Sequence, residues 1–115
     1  AAPRTAEAGV FREASVGCGL EKMGAQCWGS LHGFRRSPDA DAYASFYAMF
    51  SGGSETRWFT ARSGGREYSC RFTGGVSDVT WTQLMTNPDI QFVIRWGADS
   101  NCELQQLVTH SSVLD

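Results

Sequence analysis

The sequence predicts a small α+β domain, in which an antiparallel sheet built from β-hairpins carries two short helices and is stapled by disulfides. Three observations support this fold class. The chain has 115 residues, 42% hydrophobic and 19% charged, which is enough for a single core. Alternating apolar and polar runs flank glycine-rich turns, as is typical of hairpins. Four cysteines in so short a chain favour two disulfides.

The chain divides into an arm and one globular unit. Residues 1–8 are small and polar and predict a flexible N-terminal arm, and residues 9–115 predict a single domain. The first residues lack an initiator Met and are similar to a mature N-terminus left by removal of a signal peptide. Together with the cysteine count, this start predicts a secreted or periplasmic protein.

The composition argues against two classes of partner. A net charge of -2 gives no reason for general nucleic-acid binding or for attraction to an anionic membrane. No run of residues approaches the ~20 apolar residues of a membrane span. We therefore expect neither partner.

The first two elements are predicted to be a hairpin and a helix. The runs VFREASV and QCWGSLHGF predict a loose hairpin within residues 10–34. The segment SPDADAYASFYAMFSGG then predicts a helix over 38–51, with Ser37 as N-cap and Gly52 as its stop. Aromatic residues recur there at helical spacing and predict one buried stripe: Tyr43, Phe46, Tyr47 and Phe50.

The remaining elements repeat this order. The stretch ETRWFTARSGGREYSCRF predicts a second hairpin around the turn SGG. Ser77 is a candidate N-cap for a second, shorter helix that ends before Pro88. The runs IQFVIRW and CELQQLVTH, joined by the turn GADSN, predict the last hairpin.

The cysteines are best explained as structural disulfides. Zinc sites usually use close C-x2-C pairs, and thioredoxin-like sites need C-x-x-C, but the sequence has neither. Four cysteines allow three connectivities. The preferred pairs are Cys18 with Cys27, which closes the first hairpin, and Cys70 with Cys102, which ties the second hairpin to the last strand.

Two histidines are candidate catalytic residues. His32 and His110 could serve as general base and acid in a small hydrolase such as a ribonuclease. Arg35 or Arg36 is a possible partner for His32 by proximity in sequence. Neither histidine lies in a recognised catalytic motif, so both are also explained as ordinary polar residues.

The C-terminal quarter shows two resemblances. The stretch VIRWGADSNCELQQLVTHSS resembles the strand pair that carries the C-terminal histidine of fungal guanyl-specific ribonucleases, which would give His110 an acid role. The segments SNCEL and HSSV are similar to the C-terminal end of bacterial subtilisin inhibitors. One stretch that resembles two unrelated families identifies neither, so no active site is transferred.

Aromatic and arginine residues predict a binding surface, because these types are enriched at interface hot spots. Alternation along the strands turns Arg71 and Arg95 away from the core. We expect them to line one exposed sheet face with Glu67 and Gln91, beside Trp58.

The favoured function is therefore that of a secreted, non-catalytic binding protein: an effector, an inhibitor or a toxin-like recognition module. Its expected partner is another protein, and no cofactor or metal is expected. Two alternatives stay open. One is the hydrolase that uses His110 and His32, and the other is a carbohydrate-binding module, since exposed aromatic rings also stack on sugars.

Overall fold

The fold consists of seven antiparallel strands and two short helices. A computed structural model describes residues 16–74 and 76–108, so the predicted arm over residues 1–8 lies outside the described residues. The elements are β1 (Gly17–Leu20), β2 (Ala25–Gly29), α1 (Leu31–Arg35), β3 (Tyr43–Ser51), β4 (Ser54–Ser63), β5 (Arg66–Phe72), α2 (Asp78–Thr86), β6 (Gln91–Trp96) and β7 (Glu103–Val108).

The strands form two sheets where the sequence predicted one. The first has four strands in the order β1-β2-β6-β7, and the second has three in the order β3-β4-β5. All neighbouring strands are antiparallel. The predicted α+β class, with hairpins and two short helices, is confirmed. The helices, however, do not simply cover one face of a single sheet, because the two sheets share one core.

The predicted helix over 38–51 is wrong, because most of this segment is strand β3. In a strand alternate residues face opposite sides, so these four aromatic residues divide between the two faces, Phe46 and Phe50 on one and Tyr43 and Tyr47 on the other. Phe46 is buried and Ala44 and Ala48 pack against the core, whereas Tyr43 and Met49 are exposed. Aromatic residues favour strands, and nine consecutive cross-strand pairs with β4 override the weak helical pattern.

The apparent helix start is a turn. The hydroxyl of Ser37 accepts from the backbone N–H of Asp39, two residues on, at 3.1 Å. A carboxylate oxygen of Asp39 accepts in the same way from the N–H of Asp41. Such short-range bonds stabilise turns and not helices. At the other end, Gly52 and Gly53 have positive φ and form the two-residue turn into β4.

The predicted first hairpin is confirmed. Its second predicted run, QCWGSLHGF, is a strand only as far as Gly29. Strands β1 and β2 pair with Cys18 opposite Cys27. After β2, the Ser30 hydroxyl accepts from the N–H of Gly33 at 2.9 Å and caps α1, a helix that the sequence analysis did not predict. Residues 10–15 of the predicted first run lie outside the described residues.

The later elements are close to those predicted. Strands β4 and β5 pair around Gly64 and Gly65. The Ser77 hydroxyl accepts from the N–H of Thr80, two residues into α2, and so acts as the predicted N-cap. Strands β6 and β7 form the predicted last hairpin.

The core is a cluster of aromatic rings between the two sheets. Phe46 of β3 and Phe59 of β4 lie with their ring centroids 5.1 Å apart. Both contact Phe92 of β6, at centroid distances of 5.3 and 5.6 Å. Trp81 of α2 and Trp96 of β6 are also buried. The two sheets therefore pack through aromatic side chains, and each leaves its other face outward.

Both predicted disulfides are present, Cys18–Cys27 and Cys70–Cys102. All four cysteines are therefore bonded in pairs, which removes the zinc alternative. Two disulfides in a domain of this size are consistent with an extracellular or otherwise oxidising compartment. In the part of the chain that the structure describes, neither helix is long and apolar enough to cross a membrane.

Candidate functional site

The outer surface of the three-stranded sheet carries rows of side chains that run across the strands. Because cross-strand partners share one face, the register groups these residues directly. We call this surface the aromatic–arginine face and define it by Tyr43, Tyr47, Trp58, Arg62, Glu67 and Arg71.

One row consists of Tyr47, Trp58 and Arg71, which are successive partners across β3, β4 and β5. The rings of Tyr47 and Trp58 are nearly parallel, 6° apart, with centroids separated by 6.4 Å. On the other side, Cζ of Arg71 lies 5.9 Å from the centroid of the Trp58 ring. The indole is thus flanked by a phenol and a guanidinium, the second of which is a cation–π contact.

A second row consists of Tyr43, Arg62 and Glu67. One carboxylate oxygen of Glu67 accepts from the Tyr43 hydroxyl at 2.8 Å and from Arg62 at 3.1 Å. The hydrogen bond to Glu67 raises the pKa of Tyr43 above its usual value, with smaller contributions from burial and from the Glu67 charge. In this row Arg62 and Glu67 form an ion pair, so neither charge is left without a partner.

Small hydroxyl side chains separate the two rows. Ser45, Thr60 and Ser69 are cross-strand partners and lie between the rows. Since Tyr43 and Tyr47 are four residues apart along β3, the rows are about 14 Å apart. The large side chains on both sides make this middle row a shallow trough.

Arg71 differs in its partners from the three sheet arginines that form ion pairs, Arg57, Arg62 and Arg95. Arg57 donates to Glu55 at 3.0 Å and to Asp78 at 2.7 Å, and these hydrogen bonds raise its pKa. Arg62 is paired with Glu67, and Arg95 donates to Glu21 at 2.7 Å. Within residues 16–74 and 76–108, Arg71 pairs with no carboxylate. Its cation is therefore available to a partner.

The predicted site residues fall on two surfaces. Trp58, Glu67 and Arg71 come together on the aromatic–arginine face. Arg95 and Gln91 belong to β6 in the other sheet, so the predicted single face with Arg71 is wrong. The alternation of residues correctly predicted that Arg71 and Arg95 point outward. It does not predict which sheet a strand joins. Gln91 is also buried, with 8% of its surface exposed.

Sequence reasoning missed Tyr43 and Tyr47 as members of this site. The helix prediction placed them on a stripe that faces the core. The signal that would have found them is the turn Gly52-Gly53 between two runs of similar length, which predicts a hairpin of β3 with β4.

The two candidate catalytic histidines have different outcomes. His32 is the second residue of α1. Its Nδ1 lies 2.5 Å from a carboxylate oxygen of Asp89, and its backbone N–H donates to the Pro88 carbonyl. Its side-chain partner is therefore Asp89 and not the neighbouring arginines. This contact ties α1 to the segment before β6. His110 lies outside the described residues, so the hydrolase alternative stays a prediction.

The geometry of this surface is that of a rigid, folded platform with one available cation. Comparisons of the chain with protein-family models, with curated proteins and with solved structures each found no match.

Proposed function

We propose that this protein is a secreted or periplasmic, non-catalytic binding protein, and that it recognises another protein through the aromatic–arginine face. It would act as an effector, an inhibitor or a toxin-like recognition module. The two disulfides support the compartment, because such bonds persist where the environment is oxidising. The arrangement of Arg71 supports the binding role.

The single observation that carries this proposal is the state of Arg71. Its side chain is exposed and held against Trp58, and it pairs with no carboxylate in the described chain. A guanidinium fixed in this way has already lost part of its conformational freedom, so less is lost on binding. Its planar donors match a carboxylate with two parallel hydrogen bonds. We therefore expect the partner to place an Asp or Glu side chain over Arg71.

An exposed apolar residue beside the row favours a protein partner. Met49 lies two residues beyond Tyr47 on the same side of β3 and is half exposed. Exposed apolar groups beside polar ones are typical of protein interaction sites. The preferred ligand is thus a protein segment with a carboxylate next to apolar side chains.

The position of Trp58 argues against a sugar as the ligand of this face. A sugar ring needs a free aromatic face, but Tyr47 and Arg71 lie on the two sides of the indole. Both faces of the indole are therefore used in contacts within the sheet, which leaves neither for a sugar ring.

A peptide-display selection tests this function. The disulfide-bonded protein selects from a library of random twelve-residue peptides, and bound pools are compared between wild type and Arg71→Ala. We expect Asp or Glu next to apolar residues to be enriched on wild type. Individual peptides should bind Arg71→Ala about tenfold to a hundredfold more weakly, since a charged hydrogen-bonded pair is lost.

Arg66→Ala is the matched control. Arg66 is an exposed arginine at the start of the same strand, at the β4–β5 turn. This variant should keep full peptide affinity. Arg71→Lys keeps the charge but removes the planar fork, and should bind with intermediate affinity. Equal enrichment on wild type and Arg71→Ala, or no enrichment at all, would show that this face is not the binding site.

A further inference from the structure

The outer surface of the four-stranded sheet presents a second tryptophan in a different setting. Trp28 on β2 is the cross-strand partner of Gly17 on β1 and of Val93 on β6. A Cβ placed on Gly17 would lie 3.0 Å from Cζ2 of the Trp28 ring. The absence of a side chain at Gly17 thus lets the indole lean over β1. Trp28 is 37% exposed in this position.

Beside Trp28 lies a buried amide without a partner. Gln91 on β6 is only 8% exposed, and its Nε2 is buried and makes no hydrogen bond within the described chain. A buried donor without an acceptor is unfavourable, so native structures usually provide a partner for it. Trp58 Nε1 is also buried without a partner in the described chain, but Gln91 lines a surface depression, so a ligand is one source of its missing acceptor.

Trp28 and Gln91 line the same depression, whose volume is about 170 Å³. The described residues around it are all uncharged: Trp28, Gly29, Gln91, Phe92, Val93, Gln106 and Val108. We call this surface the indole–amide face and define it by Trp28, Gln91 and Gln106. Gln106 is the cross-strand partner of Val93, so its amide is on the same side of the sheet as the indole.

We propose that the indole–amide face binds one pyranose ring of an uncharged glycan. The C–H groups of a sugar ring carry a slight positive charge and pack on the electron-rich face of an indole. Sugar hydroxyls both donate and accept, so they can satisfy the amide groups of Gln91 and Gln106. An aromatic surface with a few convergent polar groups is the usual composition of a small-ligand site. This site is separate from the aromatic–arginine face and does not depend on the function proposed for it.

The chemistry of the depression selects against other ligands. Its described lining residues offer no charge to an anionic or cationic ligand. Arg95, two residues beyond Val93 on the same face of β6, is already paired with Glu21 at 2.7 Å. A purely apolar ligand would leave the amide of Gln91 without a partner. A neutral ligand rich in hydroxyl groups needs no charged partner and can also provide an acceptor for Gln91.

Titration with three uncharged oligosaccharides tests the proposal. The full disulfide-bonded chain is titrated with cellohexaose, chitohexaose and maltoheptaose, and binding is followed by calorimetry and by saturation-transfer NMR. We expect at least one of the three to bind. Trp28→Ala should weaken binding by about tenfold or more, and Gln91→Leu by about three- to tenfold.

Two variants serve as controls. Trp58→Ala removes the tryptophan of the opposite outer face and should leave oligosaccharide affinity unchanged. Trp28→Phe keeps an aromatic ring and should retain most of the affinity, which separates lost stacking from a folding defect. The proposal is overturned if none of the three oligosaccharides binds, if Trp58→Ala and not Trp28→Ala abolishes binding, or if Trp28→Ala binds as well as wild type.

Discussion

The two outer faces of this molecule each carry one tryptophan, but the two indoles have different neighbours. Trp58 lies on the central strand of its sheet, with Tyr47 on one side and Arg71 on the other. Trp28 lies beside Gly17, and its other cross-strand partner is the small residue Val93. The large neighbours of Trp58 contact its ring within the sheet, whereas the small neighbours of Trp28 leave its ring available to a ligand.

This difference shows that residue type alone does not predict what an exposed tryptophan binds. The cross-strand partners decide how much of each ring is used in contacts within the sheet. They also set the local charge, which is a cation beside Trp58 and neutral amides beside Trp28. We infer that one face suits a carboxylate-bearing protein and the other an uncharged glycan.

The largest expected effect concerns the disulfide that joins the two sheets. Cys70 lies on β5, and Cys102 lies just before β7 of the other sheet. Replacing both with alanine should lower the free energy of unfolding by about 3.5 to 4 kcal/mol, because the open chain gains entropy when unfolded. Urea denaturation monitored by tryptophan fluorescence measures this loss.

The matched control removes the other disulfide. Cys18 and Cys27 close a shorter loop within one sheet, so their joint replacement should lower the free energy of unfolding by about 2.5 to 3 kcal/mol. The double variant at Cys70 and Cys102 should therefore be the less stable of the two. The reverse order would show that the link between the sheets is not the more important constraint.

The sequence predicted features that depend on a few neighbouring residues, and it failed where a feature depends on pairing between strands. The register of β4 with β5 and the cap of α2 at Ser77 were predictable, because turn glycines and capping hydroxyls act over a few residues. Of the three possible disulfide connectivities, the one that the hairpin order favoured is present. Strand β3 was not recognised, since its aromatic residues match the helical period and only the pairing with β4 overrides that pattern.

The candidate site was only partly predictable for a related reason. Alternation showed that Arg71 and Arg95 point outward, but membership of a sheet depends on strand pairing across the whole chain. The burial of Gln91 depends equally on its neighbours in the folded sheet. Local patterns therefore predict side-chain direction better than they predict which side chains meet.

A smaller effect, of opposite sign, is expected at Gln91. Its buried Nε2 has no acceptor in the described chain, so Gln91→Leu should stabilise the fold by about 1 kcal/mol. The same variant should weaken oligosaccharide binding. The unpaired amide of Gln91 would then lower the stability of the wild-type fold while contributing to binding. Thermal denaturation of both proteins measures the change.

Gln106→Leu is the control for this prediction. Gln106 is exposed on the same face, so its replacement should change the stability by less than about 0.5 kcal/mol. If Gln91→Leu instead destabilised the protein, the amide of Gln91 would have a favourable partner in the folded chain, and the argument for a missing acceptor would fail.

The smallest expected effect is on the titration of Tyr43 in the aromatic–arginine face. The hydrogen bond to Glu67 raises the pKa of Tyr43, which means that folding favours the protonated phenol. This contribution to stability is complete below the unfolded pKa of about 10 and is lost as the pH rises through the folded pKa. Absorbance at alkaline pH should therefore show one tyrosine ionising late. Glu67→Gln should bring that ionisation to lower pH, whereas Glu103→Gln, in the other sheet, should not.

A tyrosine titration that is the same in wild type and Glu67→Gln would mean that the row formed by Tyr43, Arg62 and Glu67 does not exist in solution.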